Sequence, residues 1–296
     1  MKFELKSKEE LPHGIRRIAR KQVDQITQSI AERRPECQGV AIHEARKSVK
    51  KSRAVLRLVR VRIGKKVYRK ENRAFRETGR TMSSRRDAEV LLKTLGNLRK
   101  HSRSHELNST LDRLQKVFQE RFDRAFRAGN GQKRNGKTDL VSEQKHIKDW
   151  PLGHLKWSDL GCGIERTYQQ GRERMENAAR SHSMQALHDW RKRVKDLWYE
   201  LRLLKPIKPK AMSRLATDAK RLSQLLGDDH DLAALEQEAR KSGLNPRDIK
   251  LISELIQTRR PKLQKAAFKL GQLVYREQPA DFARRIKSYG KAWKRQ

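Results

Sequence analysis

The chain has 296 residues, 36% of them charged, and its 72 Lys and Arg against 35 Asp and Glu leave a formal charge of +37. Only 35% of residues are apolar, below the ~45–50% of ordinary globular chains, which excludes a wide sheet buried on both faces and allows slim helices with one apolar stripe each. A field of this sign attracts polyanions, so nucleic acid, inorganic polyphosphate and anionic membrane are the partner classes to separate.

Helical periodicity starts at Leu11 and runs over 11–34, with Ile15, Ile18, Gln22, Ile26 and Ile30 on one side, until Pro35 and Gly39 break it. A second helix is predicted over 40–61, ended by Gly64, and a third over 65–82. Ser83 and Ser84 offer caps for a short helix over 87–98, and a fifth covers 106–126. Residues 129–136 form a glycine-rich break, and the stretch to Trp157 has no regular pattern. Helices follow over 163–181, 185–205, 211–226 and 232–240, the last two separated by Gly227 and a run of acids. Asn245 and Pro246 pair a cap with a first-turn proline and open a helix toward Glu277, kinked at Pro261. A last helix is predicted over 281–294. The expected fold is all-α, with an N-terminal half (1–128), a linker (129–158) and a C-terminal half (159–296).

An internal repeat organises these elements. Residues 41–60 realign with 186–205 at an offset of 145, pairing His43 with His188, Arg46 with Arg191, Lys47 with Lys192, Lys50 with Lys195 and Arg57 with Arg202. A similar offset relates Gly14-Ile15 to Gly163-Ile164 and Arg86-Asp87 to His230-Asp231. Matching motifs in matching order predict two homologous helical bundles related by a pseudo-two-fold axis.

At 100° per residue, His43, Arg46, Lys47, Lys50 and Arg57 fall within about a third of the helix circumference, opposite Ile42, Ala45, Val49 and Leu56. The second copy repeats the arrangement with His188, Arg191, Lys192, Lys195 and Arg202. Like charges three and four residues apart destabilise an isolated helix, so a stripe built twice calls for a counter-anion or a facing acid. Arg offers paired donors to phosphate oxygens and Lys a mobile point charge, which suits a linear chain of phosphates.

Ile42-His43-x-x-Arg46-Lys47-x-x-Lys50 and Leu187-His188-x-x-Arg191-Lys192-x-x-Lys195 resemble the two signature helices of the CHAD family, the histidine-bearing α-helical domain. Met82-Ser83-x-x-Arg86-Asp87, Leu226-Gly227-x-x-x-Asp231 and the Tyr168-x-x-Gly171-Arg172 helix extend the resemblance over nearly the whole chain. The resemblance implies two bundles around a basic central groove or pore that binds inorganic polyphosphate without catalysis. It implies a binding set of His43, Arg46, Lys47, Lys50, Arg53, Arg57, Arg76, Arg80 and Arg17 in the first half. In the second half the set is His188, Arg191, Lys192, Lys195, Arg202, Arg166, Arg172 and Lys220. The chain departs from the pattern at Ser83, at Ala19 opposite Tyr168, and at Asp196, which stands where the first repeat carries Lys51.

The remaining signals are weaker. Asp228-Asp229-His230-Asp231 is contiguous rather than spaced as a calcium loop, and reads as the acidic start of a helix. His188-Asp189 and His230-Asp231 have the look of metal-phosphohydrolase dipeptides, but cations surround them. His101 and His105 have helical metal spacing with no third ligand. No Walker loop, nucleophile elbow or zinc pattern occurs, so no cofactor, metal or catalytic residue is expected. Nucleic acid, bound as a nonspecific polyanion, is the second partner class, disfavoured by an aromatic content of 6%; a metal-dependent phosphohydrolase is the third reading. No run of ~18 apolar residues predicts a membrane span, and Met1 to Glu10 lacks a secretory apolar stretch. Cys37 and Cys162 read as free thiols in a reducing compartment, which points to the cytoplasm and, given the ligand, to polyphosphate granules.

Overall fold

The computed structural model describes residues 2–32, 34–82, 84–102, 104–129 and 147–293. Among them the chain forms ten α-helices, one 3-10 turn and no strand. They are α1 (Leu11–Ala31), α2 (Pro35–Leu58), α3 (Arg60–Arg80), α4 (Ser84–Arg99), α5 (His105–Gly129), α6 (Trp157–Ser181), α7 (Met184–Leu203), α8 (Pro209–Arg240), α9 (Pro246–Val274) and α10 (Pro279–Trp293). The all-α expectation holds.

Several boundaries differ from the sequence reading. The first helix ends before Pro35 as expected, but α2 opens at Pro35 itself and carries Gly39 inside it instead of starting at 40, because a first-turn proline lacks only an N–H that would go unpaired anyway. Six residues before the expected start, α6 begins at Trp157, where the Asp159 carboxylate accepts the Lys156 backbone N–H at 2.8 Å. Gly64 does mark a break, with φ 78° inside α3. The largest correction is α8: it is one 32-residue helix, so Gly227 and the acids after it are mid-helix and do not start one. Glycine costs a helix interior ~1 kcal/mol. Buried Leu222, Leu226, Leu232 and Leu235 flank it, each stabilising by about 1.5–3 kcal/mol. The same logic carries α9 through Pro261, between buried Ile252, Ile256 and Ala267.

Two apolar clusters hold these helices. The larger joins α1, α2 and α3 to α6, α7, α10 and the first half of α8, around Ile18, Leu56, Phe75, Tyr168, Trp190 and Leu222. Ile147, Trp150, Leu152 and Leu155, in the stretch that shows no pattern, are buried in it. The smaller cluster packs Leu95, Leu98, Leu111, Leu114 and Phe118 of α4 and α5 against Leu232, Leu235, Ile252 and Ile256 of α8 and α9. Each cluster draws on both sequence halves. At 1.5 Å per residue α8 is ~48 Å long, enough to contribute to both.

Candidate functional site

Burial of Ile42, Ala45 and Val49 on α2, and of Leu187, Trp190 and Val194 on α7, fixes each helix by its apolar face. The first turns of both cationic stripes are thereby turned outward: His43 and Lys192 are exposed, and Arg46, Lys47, Lys50, Arg191 and Lys195 are half-buried. The repeat extends to ion pairs, with Lys47 to Glu44 at 3.0 Å and Lys192 to Asp189 at 2.9 Å.

The duplicated arginines are each seated on the next motif of their own half. Arg46 Nη1 donates to the Met82 carbonyl at 2.9 Å, at the C-terminal end of α3. Arg191 lies against Gly227 of α8, where a β-carbon would come within 3.1 Å of its Nη2, and Arg191 Nη1 is 4.0 Å from the Asp231 carboxylate. In both halves the arginine of the His-x-x-Arg motif thus meets the segment that carries the second motif. Ser83 lies outside the described residues, as do the side chains of Arg86 and Asp87. Residues 17–240 match the CHAD domain family.

The chain belongs to the CHAD domain family. No curated protein shows a significant match to it.

The C-terminal end of this CHAD site has a feature that spacing does not reveal. The rings of His188 and His230 lie 4.4 Å apart at 34°. Burial, then His230 and the cations Lys192 and Arg191, push His188 down to about 4. His230 is lowered as well, by burial and by Arg191. Burial and Asp231 raise the Asp228 carboxyl, while Arg191, Lys93 of α4 and Arg259 of α9 act against the rise. His230, Lys93 and Arg259 therefore join the candidate site, and the spacing of the stripes does not single them out. Of the three, His230 alone has a sequence signal, as the repeat mate of Arg86 and as half of a His-Asp dipeptide. Asp229 faces the other way and ties α8 to α9, accepting from Arg260 Nε at 3.0 Å and Gln264 Nε2 at 2.8 Å. Among the described residues no group of three or more His, Cys, Asp or Glu could hold a metal ion. No helix of the described residues is long and apolar enough to cross a membrane.

Farther along the stripes, α2 and α7 cross. Arg57 is 8% exposed and pairs with Asp196 at 3.0 Å, which also takes Arg193 at 3.2 Å. Arg53 donates to Asn72 Oδ1 at 3.0 Å, and burial followed by Arg57 lowers it to about 10. Arg202 stacks 5.3 Å over the Trp198 ring and lies close enough to Lys51 for the two to repel. Because Arg57 pairs with Asp196 while Lys51 lies within electrostatic range of Arg202, the helices run in opposite directions. His43 and His188, each eight residues before its crossing residue, lie ~12 Å of helix beyond it toward opposite ends. They do not meet, and a ligand touching both must span the pair.

The other family-implied residues divide in two. Arg76 and Arg80 on α3, Arg166 on α6 and Lys220 on α8 are exposed. Arg17 and Arg172 are tied to other parts of the fold. Arg17 forks onto Glu9 at 2.7 and 2.5 Å and reaches the Glu4 carbonyl. Arg172 donates to Gln278 Oε1 at 3.0 Å and to the Glu277 carbonyl at 3.4 Å. Tyr168 accepts from the Glu277 N–H at 3.2 Å and stacks on Phe282. Gly171 leaves the room that the Tyr275 ring fills, since a β-carbon there would lie 2.3 Å from its hydroxyl. The Tyr168-x-x-Gly171-Arg172 motif is thus the anchor of the corner between α9 and α10.

Proposed function

We propose that this CHAD domain binds inorganic polyphosphate through the two antiparallel cationic stripes of α2 and α7, and that it does so without catalysis. The observation that carries the reading is the matched seating of Arg46 and Arg191. Each is fixed by its own half's second motif, so two guanidinium groups stand ready at separate points along one helix pair. Pre-fixed donors lose little freedom on binding, and a linear polyanion can engage both. The exchange of contacts between Arg57–Asp196 and Lys51–Arg202 supports a two-fold relation of the halves around a basic groove. A cytoplasmic location and association with polyphosphate granules follow from the ligand.

Competition of long-chain polyphosphate against duplex DNA at fixed salt tests the reading. Polyphosphate is expected to displace DNA, to bind far more tightly than orthophosphate, and to weaken steeply with salt as phosphates exchange for counterions. Preference for DNA, or equal affinity for orthophosphate and the long chain, rejects it. Release of orthophosphate from the polymer, lost on replacing His188, would instead make the protein an enzyme.

A further inference from the structure

The repeat allows position-by-position comparison of the two sides of the α2–α7 crossing, and they are chemically unequal. On one side Arg57 of α2 faces Asp196 of α7, and Arg193 completes the neutralisation from the same helix. An offset of 145 converts Arg57 to Arg202, Asp196 to Lys51 and Arg193 to Ser48. The other side therefore sets a buried lysine against an arginine. Among the described residues neither Lys51 nor Arg202 has a carboxylate at ion-pair distance. Each rests its charge on an aromatic face: Lys51 Nζ is 5.3 Å from the centre of Phe3, and Arg202 lies over Trp198. Glu44 is near, but its carboxylate is held by Lys47 at 3.0 Å.

Two cations in one partly dry place are costly without an anion between them, and the first side shows what such an anion does. We propose that the Lys51–Arg202 position is an oxyanion site that takes one phosphate group, and that its repeat mate is permanently filled by the Asp196 carboxylate. This rests on, and sharpens, the polyphosphate reading: the two stripes are unequal, and the Lys51 side of the crossing lies where α1, α2 and α7 meet the amino-terminal segment. That segment is held there by Leu5, whose N–H donates to the Leu203 carbonyl at 3.1 Å. The groups facing Lys51 are Lys21 from α1, Lys47 and Glu44 from α2, Arg202 and Tyr199 from α7, and the Phe3 ring. Burial first, then Lys47, Arg202 and Lys21, bring its amine down to about 8. A bound phosphate reverses that repulsion, so binding takes up a proton at and above pH 8.

Thermal unfolding with inorganic pyrophosphate, beside binding of long-chain polyphosphate, tests this on the full chain. The key variant is Lys51→Asp, which copies onto this side the residue found at 196. Lys51→Met, which removes the charge and adds no acid, is the second. Pyrophosphate is expected to raise the Tm of the parent and to raise that of either variant by less than half as much. The salt slope for polyphosphate should become shallower by ~0.7, one lost contact. Lys51→Arg should keep the pyrophosphate response at pH 9, where the parent loses most of it. Asp196→Asn, which vacates the filled position, should enlarge the response. Equal pyrophosphate shifts in parent, Lys51→Asp and Lys51→Met, or no shift in the parent, overturn the site even if polyphosphate binds. A Lys51-dependent pyrophosphate shift in a protein that ignores long-chain polyphosphate upholds the site and removes the polyphosphate reading.

Discussion

Gly227 lies directly beneath the guanidinium of Arg191, and an added β-carbon would sit 3.1 Å from Nη2 and 3.3 Å from Nε. Contacts that close force the flexible end of the arginine to move. In Gly227→Ala the helix itself gains, by up to ~1 kcal/mol for alanine over glycine in a helix interior. Stability and binding should therefore move in opposite directions. We expect an unchanged or higher Tm together with roughly three- to tenfold weaker polyphosphate binding, a loss of up to ~1.4 kcal/mol. Parallel losses in both would show that Gly227 serves packing alone.

Asp229 supplies a different control on the same helix. It is 1% exposed, and its carboxylate takes both Arg260 and Gln264 of α9. Asp229→Ala leaves Arg260 without its partner, at a cost of about 2–4 kcal/mol given that the arginine retains some solvent. Urea unfolding should show that loss. Polyphosphate affinity of the folded variant should change by less than twofold, because Asp229 turns away from the stripe.

The contrast between Asp229 and its neighbours shows what the sequence made legible. The His-x-x-Arg-Lys-x-x-Lys stripes and the order of the motifs are local patterns, and helical periodicity suffices to place them on α2 and α7. The role of Gly227 was not legible: glycine amid acids suggests a helix end, whereas it clears space for an arginine 36 positions earlier. Arg172 and Arg17 carry the same charge as Arg191, and only tertiary contacts show that they are tied to Glu277, Gln278 and Glu9. Lys93 and Arg259 reach the His188–His230 end through packing of α4 and α9 on α8, which no spacing rule predicts.

Glu200 tests the buried electrostatics. It is 1% exposed and accepts from Thr167 Oγ1 at 2.9 Å. Burial, with Asp196 nearby, raises its carboxyl well above the ordinary range. A raised acid contributes stability that is fully present below the unfolded value near ~4.3 and is lost as pH climbs toward the folded one. Glu200→Gln removes that loss. The variant should match the parent near pH 4.5 and exceed it in Tm at pH 7.5, the gap widening with pH. A constant gap would mean that Glu200 is already ionised in the folded chain.

The close, tilted pair of His188 and His230 moves the pH response of binding away from the ordinary histidine range. Histidines at ~6.5 would make binding strengthen from pH 8 toward 6. Burial and the surrounding cations instead pull His188 to about 4 and lower His230, so both are neutral at pH 7 and the pair resists a first proton. A polyanion beside Arg191 and Lys192 counters that repulsion and favours the charged rings. Proton uptake on binding should therefore appear below pH 6, with affinity rising toward pH 5. Stability has the opposite sign. A histidine whose value is lowered by folding binds protons more readily when unfolded, so the free protein loses stability as pH falls from ~6.5 toward 4. Binding must be measured by a method that counts only folded protein, such as calorimetry above the onset of acid unfolding. His188→Gln and His230→Gln should each flatten the rise between pH 6 and 5, and His188→Gln should reduce acid sensitivity of the Tm. If the affinity of the parent rises mainly above pH 6.5, the histidine pair is not its source, and a rise confined to pH 8 and above makes the Lys51 amine the group to replace.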